Sequence, residues 1–366
     1  MSPTPTTTVV ILFGGRSSEH SISCATAGGV LAAIDRTRYT VIPVGITRDG
    51  AFTLQPDDAA ALALNAAVMP SVADNGTRVH WPESADSRSI DVTDAAGIRR
   101  SLGEVDVVFP ILHGPFGEDG TIQGMLELLG LPYVGAGVLA SALGMDKHYS
   151  KTVLQQAGIA VAPWATVSAR SWQADPAATI AQAEGLGWPV FVKPARAGSS
   201  VGVSRVESVD QLAAAMTIAL AEDNRVLIEG LLVGREVECG VLGGIDGGAP
   251  RVSVAGEIVV TGRVFYDFEA KYLGAGTIEL ICPAVLEPAE LAEMQELAAR
   301  AFEAIGGAGL ARVDFFLTES GFVINEINTM PGFTPISMFP ACWLASGMSY
   351  PRLIDELIGL GLTEAR

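Results

Sequence analysis

Five consecutive apolar residues, Val9–Phe13, run into Gly14-Gly15. The run is too short for a core helix and too continuous for a half-exposed strand, so it predicts a strand buried on both faces. Ser18–Ile34 has helical periodicity, and Tyr39–Ile46 and Val105–Pro110 predict further strands. Strands alternating with helices predict an α/β unit, a parallel sheet with helices on both faces. Residues 55–103 are rich in Ala, Asp and Ser with weak periodicity, and are expected to be an irregular excursion at the edge of that unit. Asp119–Leu129 predicts a helix, Pro132–Gly135 leads out of it, and a first boundary is expected near residue 135.

The pattern then shifts toward α+β. It predicts a helix over 146–157, a strand over 163–168, a helix over 176–185, two strands around a glycine-serine turn within 189–206, a helix over 208–220 and a strand Val226–Glu229. Beyond lie strands, a long irregular stretch at 261–277, a helix over 287–305, a hairpin over 309–328 and terminal helices. No internal repeat is present. Three segments are expected: 1–135, 136–229 and 230–366.

The 366-residue chain is 49% hydrophobic and only 17% charged, ample for several packed cores, which excludes extensive disorder. Its 23 basic and 41 acidic residues leave a net charge of −18, a poor match for nucleic acid or an anionic membrane, though a local basic pocket for a small anion is compatible with it. Cys24, Cys239, Cys282 and Cys342 form no CxxC pair, which argues against a structural zinc and a disulfide framework. The N-terminus lacks a basic segment before its short apolar run, and no window approaches the ~20 apolar residues of a membrane span, so a cytoplasmic setting is expected.

Candidate chemistry concentrates in the hairpin. Arg312 and Asp314 share one strand face, and Glu326 and Asn328 share a face of the next. A three-residue loop Glu319-Ser320-Gly321 would set Asp314 opposite Glu326 and Arg312 opposite Asn328. Carboxylates that close repel unless a cation lies between them, and hard oxygen ligands suit magnesium completed by substrate phosphates. Arg312 could then meet a phosphoryl group or an oxyanion.

Four other stretches carry weaker signals. Lys193 precedes a glycine-serine turn, Gly198–Gly202, whose backbone N–H groups could cradle a phosphate, although this is not the P-loop spacing. Glu19 lies where the first strand meets a helix, and could bind an ammonium group or simply stabilise the helix start. His113 follows a buried strand in HGPFGEDG, and is a ligand contact or a core histidine. Lys271 and Tyr272 lie in the irregular 261–277 stretch, a candidate binding loop or lid.

Together these stretches resemble the D-alanine–D-alanine ligase family of the ATP-grasp superfamily. GGRSSEHSIS, HGPFGEDGTIQG, MDK, FVKPARAGSSVGVS, YDFEAKY, ARVDFF and NEINTMPGFTPIS occur in the family's order, from about residue 9 to the last helices. The resemblance implies a three-domain ATP-grasp fold with an N-terminal parallel sheet and ATP between two antiparallel sheets. It implies that Lys147 and Lys193 reach the nucleotide phosphates, that Ser199, Ser200 and Val201 close over them, and that Glu229, Leu231, Leu232, Glu236, Phe265 and Phe316 contact adenine and ribose. Asp314, Glu326 and Asn328 match ligands of two magnesium ions, with manganese as an alternative and a monovalent cation such as K+ compatible.

Glu19, with His113 nearby, resembles the site of the first D-alanine's ammonium group. Glu19, Ser199 and Tyr272 resemble a hydrogen-bonded trio linking the domains. Arg312 and the Gly332 N–H resemble an oxyanion hole, and Lys271, Ser337 and Met338 the contacts of the second D-alanine. The implied chemistry is an acyl phosphate made from ATP and captured by the second amine, for peptidoglycan precursor synthesis, by a cytoplasmic homodimer. The Lys-Tyr pair at 271–272 favours an amine acceptor. Pro335 stands where a small polar residue is expected and is predicted to reshape the pocket beside Ser337. The alternatives are a related ligase with another D-amino acid or a secondary-metabolite substrate, and a nucleotide-binding module without catalysis. A nicotinamide dehydrogenase is disfavoured by the missing GxGxxG.

Overall fold

The structure, a computed structural model, describes residues 6–64, 69–198, 200–260 and 278–363. Strand β1 (Thr7–Gly14) lies parallel to β2 (Tyr39–Ile46) and β7 (Val107–Ile111), with β3 (Phe52–Leu54) antiparallel at the edge, in the order β3-β2-β1-β7. Successive β1 side chains point to opposite faces. Val9, Ile11 and Phe13 pack with Ala27 and Val30 of α1 (His20–Ala33) and with Leu353 and Leu357 of the final helix. Val10 and Leu12 pack with Ile122 and Leu126 of α2 (Thr121–Leu128). Burial on both faces explains the unbroken apolar run that marked β1.

The described residues of the 55–103 stretch hold more regular structure than expected. They hold β4 (Arg78–His80), β5 (Ser89–Thr93) and β6 (Arg99–Glu104), an antiparallel sheet whose Val79 and Ile90 join the core under β1. Strands of three to six residues, one of them almost wholly polar, are too short for a period of two to stand out.

The second sheet runs β10-β9-β11-β8, with β8 (Trp164–Ser168), β9 (Val190–Pro194), β10 (Ser204–Val206) and β11 (Arg225–Gly230) all antiparallel. Helices α6 (Pro176–Leu186) and α7 (Val209–Glu222) cover it. The third runs β14-β13-β12-β15-β16, from β12 (Arg235–Leu242), β13 (Arg251–Val260), β14 (Ile278–Ile281), β15 (Leu310–Thr318) and β16 (Gly321–Asn328). One face of it buries α8 (Pro288–Ala304), α3 (Val138–Met145) and α4 (Lys147–Gln156). Across β12 and β13 lies α9 (Met338–Ala345), followed by α10 (Tyr350–Thr363).

Helix α3, VLASALGM, is missing from the sequence reading because it has almost no polar residue to reveal a period, and the short α5 (Ala169–Ala174) is missing too. Packing also crosses the expected segment limits. Residues 136–159 share a core with the third sheet, while α10 closes the core of the first. No helix among the described residues is long and apolar enough to cross a membrane.

Candidate active site

Where the second and third sheets face each other lies a cavity of about 530 Å³, reached from the side by the loops after β1 and β7. Ligands in open parallel sheets bind at the carboxyl ends of strands, and these loops sit at such ends.

The β15–β16 hairpin supplies the acidic wall. Asp314 pairs with Glu326 and Arg312 with Asn328, as expected, but by another route. The turn pairs Thr318 with Gly321, leaving a two-residue loop, Glu319-Ser320, rather than three; Gly321, at φ +108°, is paired within the strand. A bulge at Asn325 then restores the expected register beside Asp314. Such bulges re-aim side chains next to sites. On the other side, β12 places Glu238 opposite Asp314, so three carboxylates lie level across three strands.

The charge between them is answered by protein. Arg312 grips Asp314 through Nε (2.6 Å) and Nη2 (2.7 Å), and its Nε lies 3.3 Å from Glu238. Burial would discharge the guanidinium, yet Asp314 and Glu238 hold its pKa well above the ordinary value. Asn328 donates its amide to Asp314 at 3.0 Å. Glu326 is 3.9 Å from the Lys147 ammonium group. Among the described residues no three acidic, histidine or cysteine side chains converge on one point. The hard-oxygen set of Asp314, Glu326 and Asn328 still fits magnesium, which often takes one or two carboxylates and draws its other ligands from water and phosphate.

The opposite wall is basic. Asp146 caps α4 by accepting from the His148 and Tyr149 N–H groups, which puts Lys147 on the first turn at the cavity, with its Nζ donating to the Ala197 carbonyl at 2.7 Å. Lys193, on β9, forms an ion pair with Glu229 of β11. Lys151, one turn beyond Lys147, reaches the same carboxylate at 3.1 Å. Glu229 is thus held between two lysines, and although burial would raise its pKa, Lys193 and Lys151 hold it below the ordinary value. Leu231, Leu232, Glu236 and Phe316 line the far end with Phe191, Ile258 and Leu280, an apolar slot with one carboxylate at its rim. Glu236 and Phe316 face each other across β12 and β15.

At the near end Glu19 occupies the N-cap position of α1 and makes no side-chain capping bond. It is 8% exposed, and its carboxylate sits within 3 Å of where a Cβ on Gly114 or Gly198 would stand, between the β7 loop and the β9 loop. His20, its neighbour in the motif, is structural: Nδ1 donates to the Gly15 carbonyl and Nε2 accepts from the Val72 N–H. His113 Nδ1 donates to the Met330 carbonyl (3.1 Å), and Glu118 accepts from the Met330 N–H (3.2 Å) and the Gly114 N–H (2.6 Å). The HGPFGEDG loop therefore holds both sides of Met330, two residues before Gly332. Burial first, then Glu19, push the Glu118 carboxyl up to about 8 against those two N–H donors. Gly332, Ser337 and Met338 line the same end, and Ser337 Oγ lies 2.7 Å from Thr334 Oγ1.

Ser200 lines the cavity at φ +59°, whereas Val201 does not. Pro335 packs toward Gly29 of α1 rather than into the cavity, so it does not form the pocket wall beside Ser337. Ser199, Phe265, Lys271 and Tyr272 lie outside the described residues. Glu118, Lys151 and Glu238 escaped the sequence reading. Their signals were present: a carboxylate in a glycine-rich loop after a buried strand, an i,i+4 lysine pair, and the Glu236/Glu238 alternation.

The D-ala D-ala ligase N-terminus family matches residues 8–136, and the D-ala D-ala ligase C-terminus family matches residues 153–359. The chain is 53% identical to a D-alanine–D-alanine ligase of Paenarthrobacter aurescens, over 97% of this chain and 95% of the relative. It is 52% identical to one of Kineococcus radiotolerans, over 99% and 98%. Among solved structures, the VanG D-Ala:D-Ser ligase of Enterococcus faecalis superposes with a TM-score of 0.83 at 33% identity, covering 98% of this chain and all of that one. The D-alanine–D-alanine ligase of Coxiella burnetii gives 0.80 at 34% identity, over 98% and 94%. With the two family matches spanning most of its length and an ATP-grasp fold shared with these structures, the chain belongs to the D-alanine–D-alanine ligase family.

Proposed function

We propose that this chain joins two D-alanine molecules into D-alanyl-D-alanine with ATP turned over to ADP and phosphate, a step toward peptidoglycan. The supporting observation is one cavity with a basic wall (Lys147, Lys193), an acidic hairpin facing it (Asp314, Glu326, Asn328) and a carboxylate at its near end (Glu19). The triphosphate of ATP is proposed to lie between those walls, with adenine in the slot at Phe316, Leu231 and Leu232. Glu19 takes the ammonium group of the first D-alanine, and His113 and Glu118 brace the Met330–Gly332 segment beside it. The first carboxylate attacks the γ-phosphate; the second amine attacks the resulting acyl phosphate, and phosphate leaves. Arg312 and the Gly332 N–H would stabilise the oxyanion of that tetrahedral intermediate. Ser337 and Met338 would seat the second D-alanine together with Lys271; Tyr272 and Ser199 would join Glu19 in closing the site.

Asp314, Glu326 and Asn328 would hold magnesium, which when bound stabilises charge on the phosphoryl oxygens. The rest is positioning: lysines orient the phosphates, and the walls exclude the water that would hydrolyse an acyl phosphate. We extend the proposal to three domains, 1–135, 136–229 and 230–366, and to a cytoplasmic homodimer.

The test is phosphate release and product mass with purified protein, ATP, magnesium and D-alanine. D-alanyl-D-alanine with stoichiometric phosphate is expected. Release with other amino acids but none with D-alanine would overturn the assignment.

A further inference from the structure

Two of the four cysteines have come together without any motif to announce them. Cys282 follows edge strand β14, and Cys342 lies on α9, sixty residues on; their Sγ atoms are 3.8 Å apart. Cys342 is fully buried, with its Sγ 3.9 Å from the Glu238 carbonyl, while Cys282 is half-buried and retains access to solvent. The other two, Cys24 and Cys239, are fully buried.

Both sulfurs belong to elements that shape the cavity. Leu280, two residues before Cys282, lines one side of it, and Ser337 and Met338, at the start of α9, line another. Helix α9 is seated tightly. A Cβ on Gly240 would come within 2.5 Å of Trp343 Nε1, and one on Gly256 within 2.2 Å of Met338 Sδ. Among the described residues, strand β14 pairs only with β13, so it is the freer of the two partners.

We propose that Cys282 and Cys342 are a redox pair that hydrogen peroxide converts into a disulfide, reversible by thiol reductants, strapping β14 to α9 and slowing turnover at the adjoining cavity. The Cys282 thiolate attacks one peroxide oxygen, giving a sulfenic acid and water after one proton is taken up. The Cys342 thiol then attacks that sulfur, forming the S–S bond and releasing a second water. Two thiols lose two electrons and two protons, and the peroxide is reduced to two waters. The roles follow from access: the half-buried Cys282 meets the oxidant and the fully buried Cys342 resolves it. The neighbouring Cys342 thiol supports this order, since its hydrogen bond holds the Cys282 pKa below the ordinary thiol value against the opposing effect of burial. Bond formation shortens the sulfur separation from 3.8 Å to about 2.05 Å. With α9 seated on its glycines, β14 makes the move and carries Leu280 with it.

The consequence for turnover rests on the ligase reading, but the covalent change does not, so the two can fail separately. The full-length protein is freed of reductant, treated with hydrogen peroxide, blocked with an alkylating agent and digested without reduction. Mass spectrometry should find one cross-linked species joining the peptides of Cys282 and Cys342, with two thiols lost. ADP release should fall several-fold and return on adding a thiol reductant. Cys282→Ser should keep its activity through the same treatment. Cys342→Ser should give no cross-link, with Cys282 advancing to sulfinic acid. Sulfinic acid at Cys282 in the unmutated protein without any cross-link would overturn the pair; a full cross-link with unchanged turnover would overturn the strap.

Discussion

Replacing Glu229 with glutamine removes the carboxylate held between two lysines that are themselves scarcely hydrated. The side chains of Lys151, Lys193 and Glu229 are 2%, 13% and 6% exposed. Removing one partner of a buried ion pair costs about 3–5 kcal/mol, because the charge left behind is neither solvated nor answered. At about 2.1 cal/mol/K of unfolding entropy per residue, that lowers the melting temperature of a 366-residue chain by about 4–6 °C. Lys151→Met alone should cost only about 1 kcal/mol, since it leaves a balanced Glu229–Lys193 pair and replaces a buried cation by an apolar chain of similar length. The Glu229→Gln/Lys151→Met double variant should then be more stable than Glu229→Gln by about 2 kcal/mol, because it keeps one lysine, the better-solvated one, in place of two. Calorimetric melting of the four nucleotide-free proteins at neutral pH reads all three differences. Since Glu229 is held below its ordinary pKa, its contribution is present above the unfolded carboxyl value near 4.3 and fades as pH falls through the folded one. The reasoning is refuted if Glu229→Gln loses less than about 1 kcal/mol, or if the double variant melts below the single one.

Three shorter expectations follow from other parts of the cavity. Glu118, with its carboxyl raised to about 8, stabilises fully below about pH 4.5 and loses that contribution as pH rises through 8, a swing of up to about 5 kcal/mol. Glu118→Gln should flatten the melting-temperature profile over that window, and an unchanged slope would contradict the assignment. Gly240→Ala places a methyl group 2.5 Å from Trp343 Nε1 and 3.0 Å from the Phe339 ring; it should cost about 1–3 kcal/mol and raise the KM for the second amino acid by lifting Met338, as melting and steady-state kinetics would report. Asp314→Asn should reduce magnesium-dependent ADP release by about two orders of magnitude or more with a near-native circular dichroism spectrum; near-normal turnover would count against Asp314 as a magnesium ligand.

Legibility followed period and length. β1 and α8 show themselves because a run of five apolar residues or a helix of seventeen offers enough positions to reveal a pattern. The sheet in 78–104 offers too few buried positions per strand, and α3 is too uniformly apolar. At the hairpin the Asp314–Glu326 pairing was readable from alternation, but the two-residue loop and the bulge at Asn325 were not, because two offsets cancel. What answers the carboxylates was also hidden, since the sequence offers several cations and only packing selects Arg312.

The sequence by itself determined the order of the motifs, the buried strands and the residue types that phosphate and carboxylate chemistry require. These depend on neighbours in the chain, where spacing of two or four fixes a shared face. The tertiary structure alone decided what meets across long separations: Glu19 against Gly198, Met330 held from both sides by the loop at 113–118, Glu229 between lysines from a helix and a strand, and Cys282 beside Cys342. Such contacts arise from how the sheets pack, and no local period along the chain encodes the distance between two elements.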